Sequence, residues 1–378
     1  MRNRAAAARV TGPPTTRGTL RSVDEDCLLC RAGVLVAEQQ RQRASVTCCN
    51  VPSPPVSIIL PVFDEIANID GVLNSLTEQR YNGTLEIVAA DGGSTDGTRE
   101  RLDERAGQDP RIITVDNPQR RQPTGLNLAA KHATGEILVR ADGHTLYATD
   151  YVQRSVTALA ETDAVAVGGP MNPVAEAGFA VSVVGAMNSP LVLPARFHHA
   201  EQRKGVDTVY LGAFRRSDFL AIGGFRTFPS GTSEDADLYA RWRSEGRTVI
   251  VDPTINSEYT PRNSRGALWK QYFRYGMGKA EMLWANRRLP SLRPLAPTLL
   301  ILGFITFAIL AVVTGVWWPL AALAGAWLLW LLYVGIRSRA SVVGVAFAAA
   351  IMHGSYGFGL LWGLVRGPGP VRRSMGDR

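Results

Sequence analysis

The chain has 378 residues, 41 Lys and Arg against 33 Asp and Glu, a net charge of +8, and 46 % hydrophobic residues. That length bounds it at about two domains, and its apolar residues are too unevenly spread for a purely soluble fold. The basic balance would suit nucleic acid, but no nucleic-acid motif accompanies it, so that partner class is set aside.

Residues 1–54 are rich in Arg, Ala, Thr and Pro without a period, and read as a disordered basic tail lacking the apolar core of a signal peptide. Four cysteines fall there: Cys27, Cys30, Cys48 and Cys49. The second pair lacks zinc-site spacing, so free thiols in a reducing compartment are expected. From residue 56 strand and helix signals alternate. VSIILPV (56–62) is a β-rich run, and Ile66, Ile69, Val72, Leu73 and Leu76 then recur at helical spacing. LEIVAAD (85–91) ends on Asp91, and in the GGSTDGT turn after it Ser94 or Asp96 can cap the next helix. RIITVD (111–116) is a third strand, 124–134 a helix, and EILVRAD (136–142) a fourth strand. AVAVGG (164–169), VYLGAF (209–214) and TVIVDP (248–253) are further strands. Continuous apolar strands alternating with helices predict an α/β fold with a mainly parallel sheet covered on both faces. Such sheets bind ligands at the carboxyl ends of their strands, where Asp64, Glu65, Asp91 and Asp142 lie. Each alone reads equally as a turn or cap residue. A nicotinamide-dependent oxidoreductase would carry Gly-x-Gly-x-x-Gly after the first strand; PVFDEIAN has no glycine there.

Asp142 and His144 are separated by Gly143. From a cleanly ended strand they would share a face, and the glycine lets backbone pass close to a ligand. One carboxylate and one imidazole suit a divalent ion, Mn²⁺ or Mg²⁺, whose other ligands are substrate oxygens and water. In SEDADLYARWRSEG (233–246), Glu234, Asp235 and Asp237 open a helix that Gly246 stops. The helix dipole favours acids there, but three carboxylates in four residues are more than a cap needs. One at a pocket edge can take the proton from a sugar hydroxyl. The preceding Gly223–Gly224–Phe225 forms a loop able to shape an acceptor pocket, with Gly224 and Glu234 as candidate acceptor-binding residues. In QYFRYG (271–276), Gln271 and Arg274 face the same way on a helix, and Arg274 can hold a diphosphate. Residues 263–293, with Trp269, Tyr272, Phe273, Tyr275 and Trp284, read as interfacial helices at a membrane surface, touching its lipids.

From Pro294 to Ile336 there is no ionisable residue but Tyr333, enough for two helices of about 20 residues across a bilayer. Ala340 to Val365 is a third apolar run containing His353. The membrane region is thus 294–366, with two or three transmembrane helices, followed by a basic tail at 367–378. Arg287, Arg288 and Arg293 precede the first run, and Arg337 and Arg339 follow the second. By the positive-inside rule both sides are cytoplasmic, with the Trp317–Trp318–Pro319 turn outside. A third full crossing would put Arg366, Arg372, Arg373 and Arg378 outside, so either the rule fails or the third segment is re-entrant. Its glycines (Gly344, Gly354, Gly357, Gly359, Gly363) argue against a straight span. Spans this poor in charge offer little for a transport path, which leaves an inactive membrane scaffold as the non-enzymatic reading.

Together these pieces resemble family 2 glycosyltransferases of the GT-A fold over residues 55–285. PVFDE (61–65) is similar to the opening Pro-x-x-Asn-Glu, DGGSTDGT (91–98) to Asp-x-x-Ser-x-Asp-x-Thr, and RADGH to the Asp-x-Asp position, with His144 as its last member. SEDADL is similar to the Glu-Asp stretch holding the general base, and QYFRY to Gln-x-x-Arg-Trp, with Tyr275 for Trp. The Asp-x-His form, GGP at 168–170, VYLGAF and the apolar C-terminus look most like membrane-bound succinoglycan-type glucosyltransferases of polysaccharide biosynthesis. The resemblance implies a GT-A catalytic domain at 55–262, cytoplasmic and inner-membrane-bound, and an inverting transfer from a nucleotide-diphosphate sugar to a lipid-linked acceptor. It implies that Pro61, Val62, Glu65 and Asp91 bind the donor's nucleoside side, and that Asp142 and His144 hold the metal. Asp235 is then the base, and Gln271 and Arg274 close over the diphosphate or acceptor.

Overall fold

The computed structural model describes residues 53–193, 197–287 and 292–373. The tail with its four cysteines, Arg288 and Arg378 lie outside them. In chain order the strands are β1 (Val56–Val62), β2 (Leu85–Asp91), β3 (Ile112–Asp116), β4 (Ile137–Arg140), β5 (Thr145–Tyr147), β6 (Ala164–Gly169), β7 (Asn172–Pro173), β8 (Lys204–Gly205), β9 (Tyr210–Arg215), β10 (Arg226–Thr227), β11 (Thr248–Val251), β12 (Ser257–Tyr259) and β13 (Arg372–Arg373). The helices are α1 (Ile69–Thr77), α2 (Thr98–Gln108), α3 (Gln122–His132), α4 (Tyr151–Ala160), α5 (Phe179–Met187), α6 (Arg216–Ala221), α7 (Glu234–Ser244), α8 (Arg265–Asn286), α9 (Ala296–Thr314), α10 (Trp318–Arg337) and α11 (Val342–Arg366).

The main sheet runs β3-β2-β1-β4-β9-β6-β11-β8. β3, β2, β1 and β4 are parallel, whereas β9 is antiparallel to both neighbours. Both faces are buried, so side chains alternate between two cores. Val56, Ile58, Leu60 and Val62 join α1 and α4; Ile59 joins α3, α6 and α7. Chain order reverses beside β1, where β4 enters, and such a switch point leaves a crevice at the strands' carboxyl ends. A small sheet, β5-β12-β7, stands beside that crevice.

Two elements differ from expectation. α1 begins at Ile69, leaving Ile66 outside it and 43 % exposed, because Asp96 accepts from the Ile66 amide and ties it to the neighbouring turn. The residue before α2 is Gly97, in the left-handed region at φ 97°; Asp96 instead accepts from the Thr98 amide at 3.0 Å.

Among the described residues three helical segments are long and apolar enough to cross a membrane: 293–314, 318–337 and 342–366. The last is one continuous helix despite its glycines. They are contact points, not breaks: a Cβ on Gly359 would lie 2.0 Å from the Phe273 carbonyl oxygen of α8.

Candidate active site

β4 ends at Arg140, two residues before Asp142, so Asp142 and His144 share no strand face. They sit in a turn instead, closed by the Thr145 amide donating to the Asp142 carbonyl at 3.3 Å. Gly143 packs closely against Glu65, since a Cβ there would lie 3.0 Å from Glu65 Cγ. The turn is pinned by the buried Tyr147, whose hydroxyl accepts from the Asp142 amide at 2.7 Å. Both side chains line one cavity of about 850 Å³. Asp142 Oδ1 accepts from Gln122 Nε2 at 3.1 Å and Arg140 Nε at 3.3 Å.

His144 Nδ1 lies 3.3 Å from Glu65 Oε1. A hydrogen bond to a carboxylate needs the proton on Nδ1, which leaves the Nε2 lone pair free to ligate. Burial works to lower the His144 pKa, but the Glu65 hydrogen bond, with the charges of Asp142 and Glu65, raises it overall above the ordinary 6.5. Glu65 therefore meets the imidazole, where a nucleoside contact was expected.

The three acids of α7 take three different positions. Glu234 is buried and its Oε1 meets Arg140 Nη2 at 3.0 Å. Burial, more than the repulsion from Asp235, pushes its carboxyl up to about 7 against the pull of Arg140. Asp237 is fully buried among Arg241 (2.9 Å), Asn286 (2.8 Å) and Arg226 (3.4 Å). Asp235 lies half-buried on the wall of the cavity, and among the described residues no cation pairs with it. The pattern of three acids thus reflects two carboxylates held in structural ion pairs and one left facing the cavity.

Ser233, at φ 69°, holds a left-handed conformation that β-carbon residues rarely adopt, and its loop is clamped from α8. Arg274 Nε donates to the Ser230 carbonyl (3.0 Å), the Ser230 amide to Glu281 (3.0 Å) and Thr232 Oγ1 to the Arg274 carbonyl (2.9 Å). Gln271 Nε2 donates to the hydroxyls of Tyr259 (2.9 Å) and Tyr275 (3.0 Å). Gln271 and Arg274 both line the cavity with Asp142 and Asp235.

The other expected residues fall elsewhere. Pro61, Val62 and Asp91 are outside the cavity lining. Asp91 is 2 % exposed, and its carboxylate accepts from Gly93 and Ser94 of its own turn. Gly224 is also outside the lining; its carbonyl accepts from Arg241, which makes the Gly223–Gly224 turn part of the α7 scaffold. Sequence reasoning missed Arg140, Gln122 and a smaller cavity of about 290 Å³ whose lining includes Arg120, Arg121 and Arg274. An arginine inside the apolar run ILVR, and the pair in QRRQ, were the available signals. Arg140 Nη1 is buried and has no hydrogen-bond partner among the described residues.

The mostly parallel α/β architecture agrees with what comparison with known proteins finds. Residues 57–220 match the family described as Glycosyl transferase family 2. The succinoglycan biosynthesis protein ExoA of Rhizobium meliloti is 31 % identical over 307 residues, which cover 78 % of this chain and 91 % of that protein. The chain belongs to glycosyltransferase family 2. This family 2 glycosyltransferase is also 27 % identical to the glycosyltransferase AglE of Haloferax volcanii, over 67 % of this chain and 82 % of AglE. In fold it is similar to the mannosyltransferase PcManGT of Pyrobaculum calidifontis, solved in complex with GDP-Man and Mn²⁺. That likeness has a TM-score of 0.53 at 19 % identity, covering 89 % of this chain and 95 % of the other. Membership excludes the oxidoreductase reading, and the GT-A glycosyltransferase fold accounts for the mixed, mostly parallel sheet.

Among the described residues no three His, Cys, Asp or Glu side chains come together as a ready ligand set for a metal. What the cavity offers is the Asp142 carboxylate and the His144 Nε2, oriented by Glu65 through the other ring nitrogen. That donor set fits a divalent cation completed by phosphate oxygens and water.

Proposed function

We propose that the protein moves a sugar from a nucleotide-diphosphate sugar to a hydroxyl of a membrane-associated, lipid-linked acceptor, with inversion, in cell-surface polysaccharide biosynthesis. The observation that carries this is the shared cavity. Its wall includes Asp142, His144 and Asp235, and also Pro297 of α9 and Met352 and Tyr356 of α11. A site that joins candidate reacting groups to membrane-type helices suits an acceptor presented at the lipid surface. In this reading residues 55–262 form the catalytic domain facing the cytoplasm, 263–293 join it to the membrane region at 294–366, and the spans are α9 and α10 with α11 to be placed.

Asp142 and His144 hold the divalent cation, Mn²⁺ or Mg²⁺, which when bound neutralises charge on the departing diphosphate. Arg274, on the cavity wall, is a cationic donor for phosphate oxygens, and the buried Arg140 holds Asp142 and Glu234 in place. Asp235 accepts the proton as the acceptor oxygen attacks the anomeric carbon. The new C–O bond forms as the bond to the diphosphate oxygen breaks on the opposite face, so configuration inverts. Pro61, Val62 and Asp91 shape the nucleoside side from the ends of β1 and β2. Gln271 orders the two tyrosines near the acceptor.

Purified protein in detergent, given each nucleotide sugar in turn with Mn²⁺ or Mg²⁺ and a lipid-diphosphate oligosaccharide, should release nucleoside diphosphate with one donor. No release with any donor would overturn the reading. A second outcome concerns pH. Protonated His144 cannot ligate, and its pKa lies above 6.5, so the Mn²⁺ concentration for half-activation should rise as pH falls from 8 to 6. Glu65→Gln removes the charge that raises this pKa and should move the midpoint to lower pH. A half-activation concentration unchanged across that range would exclude His144 as a ligand.

A further inference from the structure

Three apolar helices do not by themselves fix how often the chain crosses a membrane, and the surroundings of α11 decide it. First, α11 meets the sheet-bearing domain along its whole length. At its start, a Cβ on Gly344 would lie 2.3 Å from Ser182 Oγ of α5, and the rings of Phe347 and Phe179 are 6.3 Å apart. In its middle, His353 Nε2 is 3.2 Å from the Val192 carbonyl. Beyond its end, Gly369 packs on Pro229 and β13 pairs antiparallel with β10. A helix of 25 residues is about 37 Å long, more than a hydrocarbon core is thick. If it stood upright, its two ends could not both rest on a domain lying to one side of the bilayer.

Second, α11 runs parallel to α8 in near-backbone contact. A Cβ on Gly276 would lie 2.1 Å from the Tyr356 carbonyl oxygen, and one on Gly363 2.6 Å from Ala280 Cβ. Small residues permit this approach. But α8 carries Arg265, Lys270, Arg274, Lys279 and Glu281, too many charges for hydrocarbon. A helix held along α8 shares its depth. Third, α9 meets α11 through Pro297, Thr298 and Ile301 of its first two turns, and α10 through Trp330 and Gly335 of its last two. Their far ends are exposed: Val312 at 75 %, Val313 at 77 % and Trp318 at 72 %.

Finally, α11 has one outward apolar stripe, Val343, Phe347, Phe358, Trp362 and Val365, opposite the buried Val345, Ala348, Ala349 and Met352. Trp269 of α8 adjoins it at Phe358, and the Arg265 guanidinium lies 5.2 Å from the Phe347 ring centroid. An apolar face bordered by Trp and Arg, continuous with two membrane-type helices, fits a lipid surface.

We propose that α11 is an in-plane helix, its stripe seated at the headgroup–acyl boundary of the leaflet facing the domain, and that the chain crosses the bilayer twice, through α9 and α10. This places Arg337, Arg339 and Arg366 on one side, which removes the conflict that three crossings create with the positive-inside rule. The proposal rests on the membrane reading of α9 and α10, not on any donor or acceptor.

The test uses the full chain with its four cysteines replaced by serine, carrying a nitroxide on a single cysteine at Val343, Phe347, Phe358 or Trp362. In 3:1 phosphatidylethanolamine–phosphatidylglycerol vesicles, oxygen and nickel-chelate accessibility gives each label's depth. The four depths should agree within about one helical turn, ~5 Å. Depths spread over some 28 Å, as about 1.5 Å per residue requires of a span, would overturn the proposal. A peptide tag at the C-terminus should be digested from the same vesicle face as the domain; protection on that face would also overturn it. Release of the protein by alkaline carbonate would instead overturn the membrane reading itself, and no label would then see lipid.

Discussion

Asp235→Asn should lower turnover by about a hundred- to ten-thousand-fold, the range for loss of a positioned general base, while nucleotide-sugar affinity stays within about twofold of wild type. The two halves of this expectation have separate origins. Asp235 is the one acid of the first turn of α7 left without a cation among the described residues, so its loss breaks no ion pair. Asn keeps its size and can still accept from the Ala236 amide, which Asp235 Oδ1 contacts at 2.6 Å. Fold and donor binding are therefore preserved, and only the capacity to take a proton is removed. Glu234→Gln and Asp237→Asn are the controls, since both act on ion pairs and should alter thermal stability. Turnover measured beside isothermal titration of the donor checks this. Full activity in Asp235→Asn would remove it from the mechanism and return the inactive-scaffold reading to consideration for this chain.

Arg140→Met is expected to destabilise the protein by about 3–5 kcal/mol, the cost of stranding a buried charge by removing its partner. Arg140 links Glu234 at 3.0 Å to Asp142 at 3.3 Å, and its guanidinium lies 5.6 Å from the centroid of the Phe225 ring. Without it, Glu234 must be buried charged and unpaired or take up a proton. Burial already holds the Glu234 pKa at about 7, above the ordinary carboxylate value of 4.5. A raised folded-state pKa makes the folded chain bind more protons than the unfolded one between about pH 4.5 and 7, so this group's contribution to stability falls as pH rises through that window. Losing Arg140 extends the window upward. The variant should thus melt closest to wild type near pH 5 and furthest below it at pH 8. Adding Glu234→Gln should recover part of the loss at pH 8 and almost none at pH 5. Thermal melts in detergent at the two pH values measure all four chains of the cycle. A pH-independent loss with no recovery would mean that Arg140 acts through packing alone.

The strands were legible because their chemistry is local. VSIILPV, LEIVAAD and AVAVGG are mostly apolar, broken only by Ser57, Glu86 and the terminal Asp91, as expected of strands in a sheet covered on both faces, and all three strands lie where the residues indicated. The glycine after α7 and the acids in its first turn were legible for the same reason, since a helix end imposes its needs within a few residues. Asp142, His144, Asp235, Gln271 and Arg274 line one cavity because the turn after β4, the first turn of α7 and the body of α8 converge there, and that convergence is a tertiary fact which no local pattern states.

What the sequence determined by itself was therefore the α/β architecture and the three apolar segments, because each rests on periodicity or on charge counted over neighbouring residues. Tertiary structure alone decided that Glu234 and Asp237 are consumed in ion pairs while Asp235 has none among the described residues, and that Glu65 turns to His144. It also decided that α11 lies against α8. Each of these depends on which groups meet across tens or hundreds of residues, and a buried charge takes its role from the partner it finds.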